Sequence, residues 1–481
     1  MFARIPFILL ILFLLRGIPM SAQTGEQSLS YEQSLEILLK NNRSIRIAQK
    51  EVDMAREQHA QINSLWYPNI SAAGTYMHLS NKIEVKEPLS TLTNPAKELI
   101  HNIFPDDQLI VGILDKIGSY TLGIPLAPQD ITTIDANLVW PVFTGGKRYY
   151  GSKIGKSLVE LSHSNKQEVM AMTQVGLVES YFALRLGQRI VEVRKEAYEA
   201  LQKQYYDAVK LEENGMINKA ERLVIQVGMK EAKREYDASV KDLSVAQDVV
   251  GNILELPSEK TVNPTTALFI NDSLPSASYF KSIMTGNNYL VNQLQIQEHI
   301  AKYEENIGRA GYVPDIALIG KQTLYSHGLD KNLVPRTMIG VGFTWNLFDG
   351  LDREKKIRLA KISGQTLSIG KEKAINDLEG NIDKLYKQMQ IALDNVNALN
   401  STIELSRELV RIREKSFVEG MATSTEVVDS RVVLSKAKVA YLIAYYQFDS
   451  ALINLLSVCG IPEEFSRFMK EGTSENFTFS N

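Results

Sequence analysis

The chain has 481 residues, 44 % of them hydrophobic and 23 % charged, a composition that folds and a length that allows more than one ordinary domain. Its 53 basic and 56 acidic residues leave a formal charge of -3, and the basic ones are scattered rather than gathered into a stripe. That excludes nucleic acid as a partner.

Residues 1–22 read as a signal peptide, with Arg4 as its basic head, an apolar run from Ile5 to Leu15, and small Ser21 and Ala22 before Gln23. The run is too short to span a bilayer, and no later stretch approaches about 20 uninterrupted apolar residues, so no helical membrane anchor is expected. The single cysteine, Cys459, lies far from the cleavage site. It can be neither a lipid anchor there nor half of an internal disulfide, and it reads as a small buried residue.

Past the leader the sequence is written twice, over residues 23–257 and 279–462, with a linker at 258–278 and a tail at 463–481. Asn41-Asn42 recurs 246 positions later as Asn287-Asn288, and Tyr67-Pro68-Asn69-Ile70 recurs as Val313-Pro314-Asp315-Ile316. Farther on the shift is 205: Trp140 pairs with Trp345, Phe143 with Phe348, Gly145 with Gly350, Gly215-Met216 with Gly420-Met421, and Leu256-Pro257 with Ile461-Pro462. The 41 extra residues of the first half must lie in one loop. They fall between His78 and Ile134, a segment containing Pro88, Pro95, Pro105, Pro125 and Pro128.

Each half reads as helix, strand, loop, strand, long helix, tip, helix. In the first, a strand over Asn69 to His78 precedes the long loop, and Ile134, Ala136, Leu138, Trp140 and Val142 then alternate with Asp135, Asn137, Val139 and Pro141. Gly145-Gly146-Lys147 lacks the other residues of a phosphate loop and reads as a turn from strand to helix. In the second half a strand over Asp315 to Tyr325 leads to Ile339, Val341, Phe343, Trp345 and Leu347 alternating with Gly340, Gly342, Thr344 and Asn346. The glycines suit either a bulge or a lumen-facing wall.

From Leu378 the apolar positions Ile382, Leu385, Met389, Ala392, Val396, Leu399 and Ile403 alternate in steps of four and three, the pattern of a coiled-coil seam. Val428, Val432, Val439, Leu442, Tyr446, Ile453 and Leu456 extend it on a return helix, interrupted by Ser435 and Asp449. A helix from Arg353 to Phe417 measures on the order of 95 Å at 1.5 Å per residue, a length that suits a tube. Gly215 and Gly420 break the helical runs and mark two hairpin tips.

The four strands have the length of membrane strands, about 9 to 11 residues. Four cannot close a barrel, since bacterial barrels have at least about eight strands and an open edge in lipid leaves backbone groups unsatisfied. Several chains must therefore share one barrel, two supplying eight strands or three supplying twelve.

The duplicated halves, the strand-ending Trp-Asn-Leu-Phe-Asp-Gly at Trp345 to Gly350 with its counterpart Trp140 to Gly145, and the tip Gly420 to Asp429 together resemble the TolC-type outer membrane efflux family. The resemblance covers about Tyr31 to Pro462. It implies a mainly α protein with a membrane β-barrel, a homotrimer whose three chains share twelve strands in the outer membrane and whose helical hairpins form a tunnel across the periplasm. It further implies a passive exit duct of an efflux or type I secretion system, docked to a periplasmic adaptor (membrane fusion) protein and an inner-membrane pump of RND or ABC type. Lacking a cysteine after the leader, this chain must be anchored by its barrel in outer-membrane lipid.

By the same resemblance the tips, Gly215, Met216, Asn218 and Glu221 in the first half and Gly420, Met421 and Thr423 in the second, face the adaptor. Thr423 and Glu426 have the spacing of a capping box, which Asn218 and Glu221 resemble. Glu426 and Asp429 share a helix face and match the family's acidic aperture positions, so three copies would crowd six carboxylates into a ring that constricts the tunnel and attracts cations. Capping alone also accounts for Glu426.

No enzyme is expected. The six histidines, His59, His78, His101, His163, His299 and His327, show no metal-ligand spacing, and no cofactor motif is present. A periplasmic coiled-coil adaptor would explain export and heptads but not four alternating strands. A porin would hold a complete barrel in one chain.

Overall fold

The computed structural model describes residues 27–103, 108–257, 260–328 and 335–475. The leader expected over residues 1–22 lies outside them, as does the end of the tail. The first half runs β1 (Gln27–Leu29), α1 (Tyr31–Asn41), α2 (Arg43–Ser64), β2 (Asn69–His78), β3 (Ile83–Pro88), α3 (Ser90–Ile103), α4 (Gln108–Gly118), β4 (Thr121–Ala127), β5 (Asp130–Phe143), α5 (Lys147–Glu213) and α6 (Lys219–Ile253). After β6 (Val262–Pro264) and β7 (Phe269–Ile270) come α7 (Ala277–Asn287), α8 (Tyr289–Ala310), β8 (Asp315–His327), β9 (Thr337–Thr344), α9 (Asp352–Val418) and α10 (Ser424–Val458). A 3-10 turn at Pro462–Glu464, α11 (Phe465–Glu471) and β10 (Thr473–Ser474) follow.

The duplication is structural. α5 and α9 each have 67 residues, and α6 and α10 each have 35. α1 and α2 match α7 and α8 in length as well. The repeated asparagines have one job in both halves. Asn42 Oδ1 accepts from the Ile45 amide while its Nδ2 donates to Ile253 O; Asn288 Oδ1 accepts from the Val291 amide while its Nδ2 donates to Val458 O. Each starts one helix and ties it to the end of another.

Two compact units emerge, residues 1–51, 163–293 and 371–481 in the first and 52–162 with 294–370 in the second, so each repeat contributes to both. In the first unit α10 is the axis of the core: 17 of its 35 residues are buried over a broad arc, while Asp429, Val433, Lys436, Ile443 and Gln447 stay exposed on the remaining face. The expected seam on α9 is present, with Ile382, Leu385, Met389, Ala392, Val396 and Ile403 all buried. On α10 the expected register is only partly followed. Leu442, Ile453 and Leu456 are buried, but Val432 is exposed, because a helix packed on several sides does not keep a single seam.

The ends of this unit are sewn in. β1 pairs parallel with β6, and β10 pairs antiparallel with β7, so two short strands lie within the segment read as a linker. Phe269, Phe448 and Phe465 pack edge to face in a cluster with Phe182, and Tyr31 joins them. The tail is held by Glu475, whose carboxylate accepts from Arg185 at 3.0 Å and meets Arg189 at 3.1 Å. Cys459 is buried as expected, its thiol pushed up to about 12 by burial. Asp449 is fully buried, and neither carboxylate oxygen has a well-aligned hydrogen-bond partner among the described residues. Burial pushes its carboxyl well above the usual range, the Phe269 amide offsetting this only in part.

In the second unit β2, β5, β8 and β9 form one antiparallel sheet in that order, leaving β2 and β9 as its edges. β2 has the expected bounds, and β9 ends at Thr344 rather than running on to Leu347. The long loop after β2 has structure of its own: β3 and β4 pair as an antiparallel ribbon that carries α3 and α4.

One junction is built twice where strands give way to helices. Trp140 Nε1 donates to Trp66 O at 3.0 Å, and Trp345 Nε1 donates to Tyr312 O at 3.2 Å. Arg148 lies 4.4 Å over the Trp66 ring and donates to Leu65 O; Arg353 lies 4.6 Å over the Tyr312 ring and donates to Gly311 O. All three tryptophans of the chain sit here. The turn into α5 uses Gly145 at φ 61°, where a Cβ would come within 2.3 Å of Val313 Cγ2.

Replacing Arg353 by Ala should cost about 2 kcal/mol, because it removes both a charged hydrogen bond and a cation–π interaction. Arg353→Lys, which keeps the charge but not the flat stack, should fall between; thermal midpoints in detergent test this, and equal midpoints for all three proteins would contradict the junction. Asp449→Asn should stabilise the protein at neutral pH. A carboxyl raised on folding contributes stability below its unfolded value, about 3.9, and loses it as pH rises toward the folded one, so the variant's advantage should shrink toward acid pH. A pH-independent difference would exclude that origin.

Candidate functional site: the sheet faces and the hairpin tips

Residues opposite one another in an antiparallel sheet point to the same side, so the register assigns the two faces. One face carries Ile70, Ala72 and Tyr76 of β2, Ile134, Leu138 and Trp140 of β5, Leu318 of β8 and Ile339, Val341 and Phe343 of β9. It is open to the outside, with Ile339, Val341 and Phe343 exposed by 77 %, 71 % and 73 %. The opposite face carries Ser71 and Thr75, Asp135 and Asn137, Lys321 and Thr323. There Lys321 Nζ meets Asp135 at 2.8 Å and Thr323 Oγ1 donates to Asp135 at 2.7 Å. Gly340 and Gly342 share this second face, where a Cβ on either would lie 3.8 Å from the Ile319 side chain. The first face is therefore mainly apolar, apart from Gln322 and Thr337, while the second carries the Asp135–Lys321 pair among mixed side chains, with no second layer in its own unit against the first face among the described residues.

The tips lie in the first unit and use one backbone device. Gly215 and Gly420 have φ of 75° and 73°. At the first, the Met216 amide donates to Leu211 O and the Gly215 amide to Glu212 O; at the second, Met421 donates to Ser416 O and Gly420 to Phe417 O. This is the left-handed helix end that glycine alone adopts without strain. Met216 and Met421 are exposed at corresponding positions. Asn218 caps α6 by accepting from the Glu221 amide at 3.0 Å. Thr423 caps α10 with a full capping box, the Glu426 carboxylate accepting from the Thr423 amide at 2.9 Å.

The two expected aperture residues have different surroundings. Glu426 also meets Arg413 of α9 at 2.9 Å, and the Thr423 amide together with the Arg413 charge holds its carboxyl below the usual range. Its charge is matched within its own hairpin. Asp429 lines a groove of about 650 Å³ between α6 and α10, where Leu223, Val224 and Val227 face Val428 and Val432. It is exposed there. α6 comes close to α10 at Gly228, where a Cβ would meet Val428 at 2.8 Å.

Sequence reasoning did not identify Arg413. The signal was available: in an antiparallel hairpin, residues at similar distances from the tip face each other, and Arg413 and Glu426 lie seven residues before and six after Gly420. The tips also have a small core of Ala208, Ile225, Phe417 and Val427, which joins the first hairpin to the second. Arg222 pairs with Glu212 beside it.

Among the described residues no helix is long and apolar enough to cross a membrane. Residues 284–460 match the family model described as outer membrane efflux protein. No curated protein matches the chain. Among solved structures, the outer membrane protein VceC of Vibrio cholerae aligns with a TM-score of 0.68 at 14% identity, over 89% of this chain and 96% of that one. CusC, described by its conformational changes on folding and transmembrane channel formation, aligns at 0.71 and 15% over 90% and 92%. The Campylobacter jejuni CmeC outer membrane channel aligns at 0.68 and 14% over 92% and 88%. The resemblance carried by the repeats and tips thus holds: residues 284–460 match the outer membrane efflux protein model, and the chain shares the fold of these channel proteins over 89% to 92% of its length.

Proposed function

We propose that the chain is one protomer of an outer-membrane efflux channel, a passive duct rather than an enzyme. The observation that carries this reading is the four-stranded sheet, mainly apolar and exposed on one face, with the Asp135–Lys321 pair on the other, and unpaired at both edges. An apolar face of this extent is at home in lipid, and open edges there require partner strands. Three copies joined edge to edge give a closed barrel of twelve strands with the Asp135–Lys321 side turned to the lumen. The tryptophans at the strand–helix junction then lie at the periplasmic membrane surface, where aromatic girdles sit.

The tips are the docking ends for a periplasmic adaptor, in series with an inner-membrane pump of RND or ABC type. Gly215 and Gly420 set the shape of the tips, while exposed Met216 and Met421 offer adaptable apolar surface. Asn218, Glu221 and Thr423 hold the first helical turns that a partner would meet. Asp429 supplies the aperture charge, three carboxylates in a trimer, and Glu426 serves chiefly as cap and hairpin tie. A coiled-coil adaptor is disfavoured by the sheet, which would expose its apolar face to water.

Protein extracted in detergent from outer membranes should run at the native mass of three chains; a monomer would refute the shared barrel. In planar bilayers Asp429→Asn should reduce cation preference. Glu426→Gln should change selectivity less and lower the unfolding midpoint, because it weakens the cap and the Arg413 tie. A larger selectivity change from Glu426→Gln than from Asp429→Asn would reverse the assignment.

A further inference from the structure

The segment inserted between β2 and β5 is a helical pair on a stalk, and its outward face is apolar. β2 and β5 remain paired to His78 and Asp130, and the Leu79 amide still donates to Gln129 O, so the insert leaves from the end of the sheet away from α5. The stalk of β3 and β4 is about 20 Å long at 3.3 Å per residue. Its β3 strand carries exposed Glu84, Lys86 and Glu87, which favour water, while β4 has no charge and exposes Leu122. α3 and α4 pack on each other through Thr93, against which Gly118 comes so close that a Cβ would lie 2.7 Å from its Oγ1, and through a Lys97–Asp115 ion pair.

That packing fixes which way each helix faces. At about 100° per residue, Leu109, Ile113 and Ile117 of α4 lie on the side opposite Asp115 and Gly118. On α3, Leu92 and Leu99 likewise point away from Thr93 and Lys97. Leu109 is 73 % exposed, Leu92 72 % and Leu99 62 %. Helices of 14 and 11 residues are marginal by themselves and depend on burying an apolar face. Nothing in the chain covers this one among the described residues.

We infer that it is covered by the same face of neighbouring copies, so that the α3–α4 pairs pack on one another beyond the outer end of the barrel. This rests on the shared barrel proposed above. Pairing β9 of one copy with β2 of the next continues the alternation of strand directions and brings every insert to the same mouth. A tethered neighbour is then present at a high effective concentration, whatever the surroundings. The charged stalk speaks against the lipid surface as the occupant, since it would have to fold back onto the membrane to deliver α4 there.

The test uses the full-length protein in outer membranes and the single substitutions Ile113→Cys and Leu109→Cys, with Glu98→Cys, on another side of α3, as control. The native Cys459 is buried, its thiol raised to about 12, and stays silent toward maleimides at neutral pH. A short bis-maleimide should join chains through position 113 or position 109 at least about tenfold more than through the control. Native mass is measured on the same samples. Three-chain mass with cross-links at both apolar positions supports the inference. Three-chain mass without them overturns it while leaving the channel intact, and quenching of a fluorophore at position 113 by spin-labelled lipid would then name the membrane as occupant. A one-chain mass overturns the shared barrel and this inference with it.

Discussion

The hydrogen-bonding groups along β2 and β9 govern much else in the molecule. Both strands are edges, and the sheet they bound turns Ile339, Val341 and Phe343 outward. In water such a face invites aggregation; in lipid the free amides and carbonyls of an edge cost several kcal/mol each. In the proposed channel a bilayer, and enough copies to close the ring, would satisfy both demands. The opposite face then has a reason as well, because Asp135 and Lys321 meet on the side that a closed barrel turns toward water.

Duplication answers the same demand with little new sequence. A single helix–strand–strand–helix–helix unit, used twice, supplies four strands and two hairpins, and its junction is reproduced in kind. Trp140 and Trp345 donate to the carbonyl of an aromatic residue, and Arg148 and Arg353 stack on that residue's ring. This clamp sets how each strand hands over to its long helix, which is where small errors of direction would be amplified most.

The copies diverge where their work differs. Glu212 and Arg222 form an ion pair in the first hairpin; the corresponding Phe417 and Val427 of the second are buried in the tip cluster. α6 keeps four buried residues while α10, of the same length, has 17. The second hairpin is thus the inner one of its unit, and it alone has the full capping box and the Arg413 tie. Asp429 has Val224 as its first-half counterpart, so only one hairpin of each copy contributes that charge.

The sequence by itself determined the duplication, the four strands of the sheet and the two long hairpins. Periodicity of two and of three-and-a-half, glycine at the tips and a fixed offset between halves are local signals, and they placed β2, the tips and the α9 seam closely. What it left open depends on which side of an element meets which neighbour. Glu426 and Asp429 have the same charge and share a helix face, and only packing shows that Arg413 neutralises one while the other lines the groove between α6 and α10. The helices α3 and α4 were hidden inside a proline-rich segment, although Leu109, Ile113 and Ile117 recur there at helical spacing. Asp449 looked like a polar break in a heptad, and tertiary structure made it a buried carboxyl, because the buried arc of α10 is broader than one seam and takes in position 449.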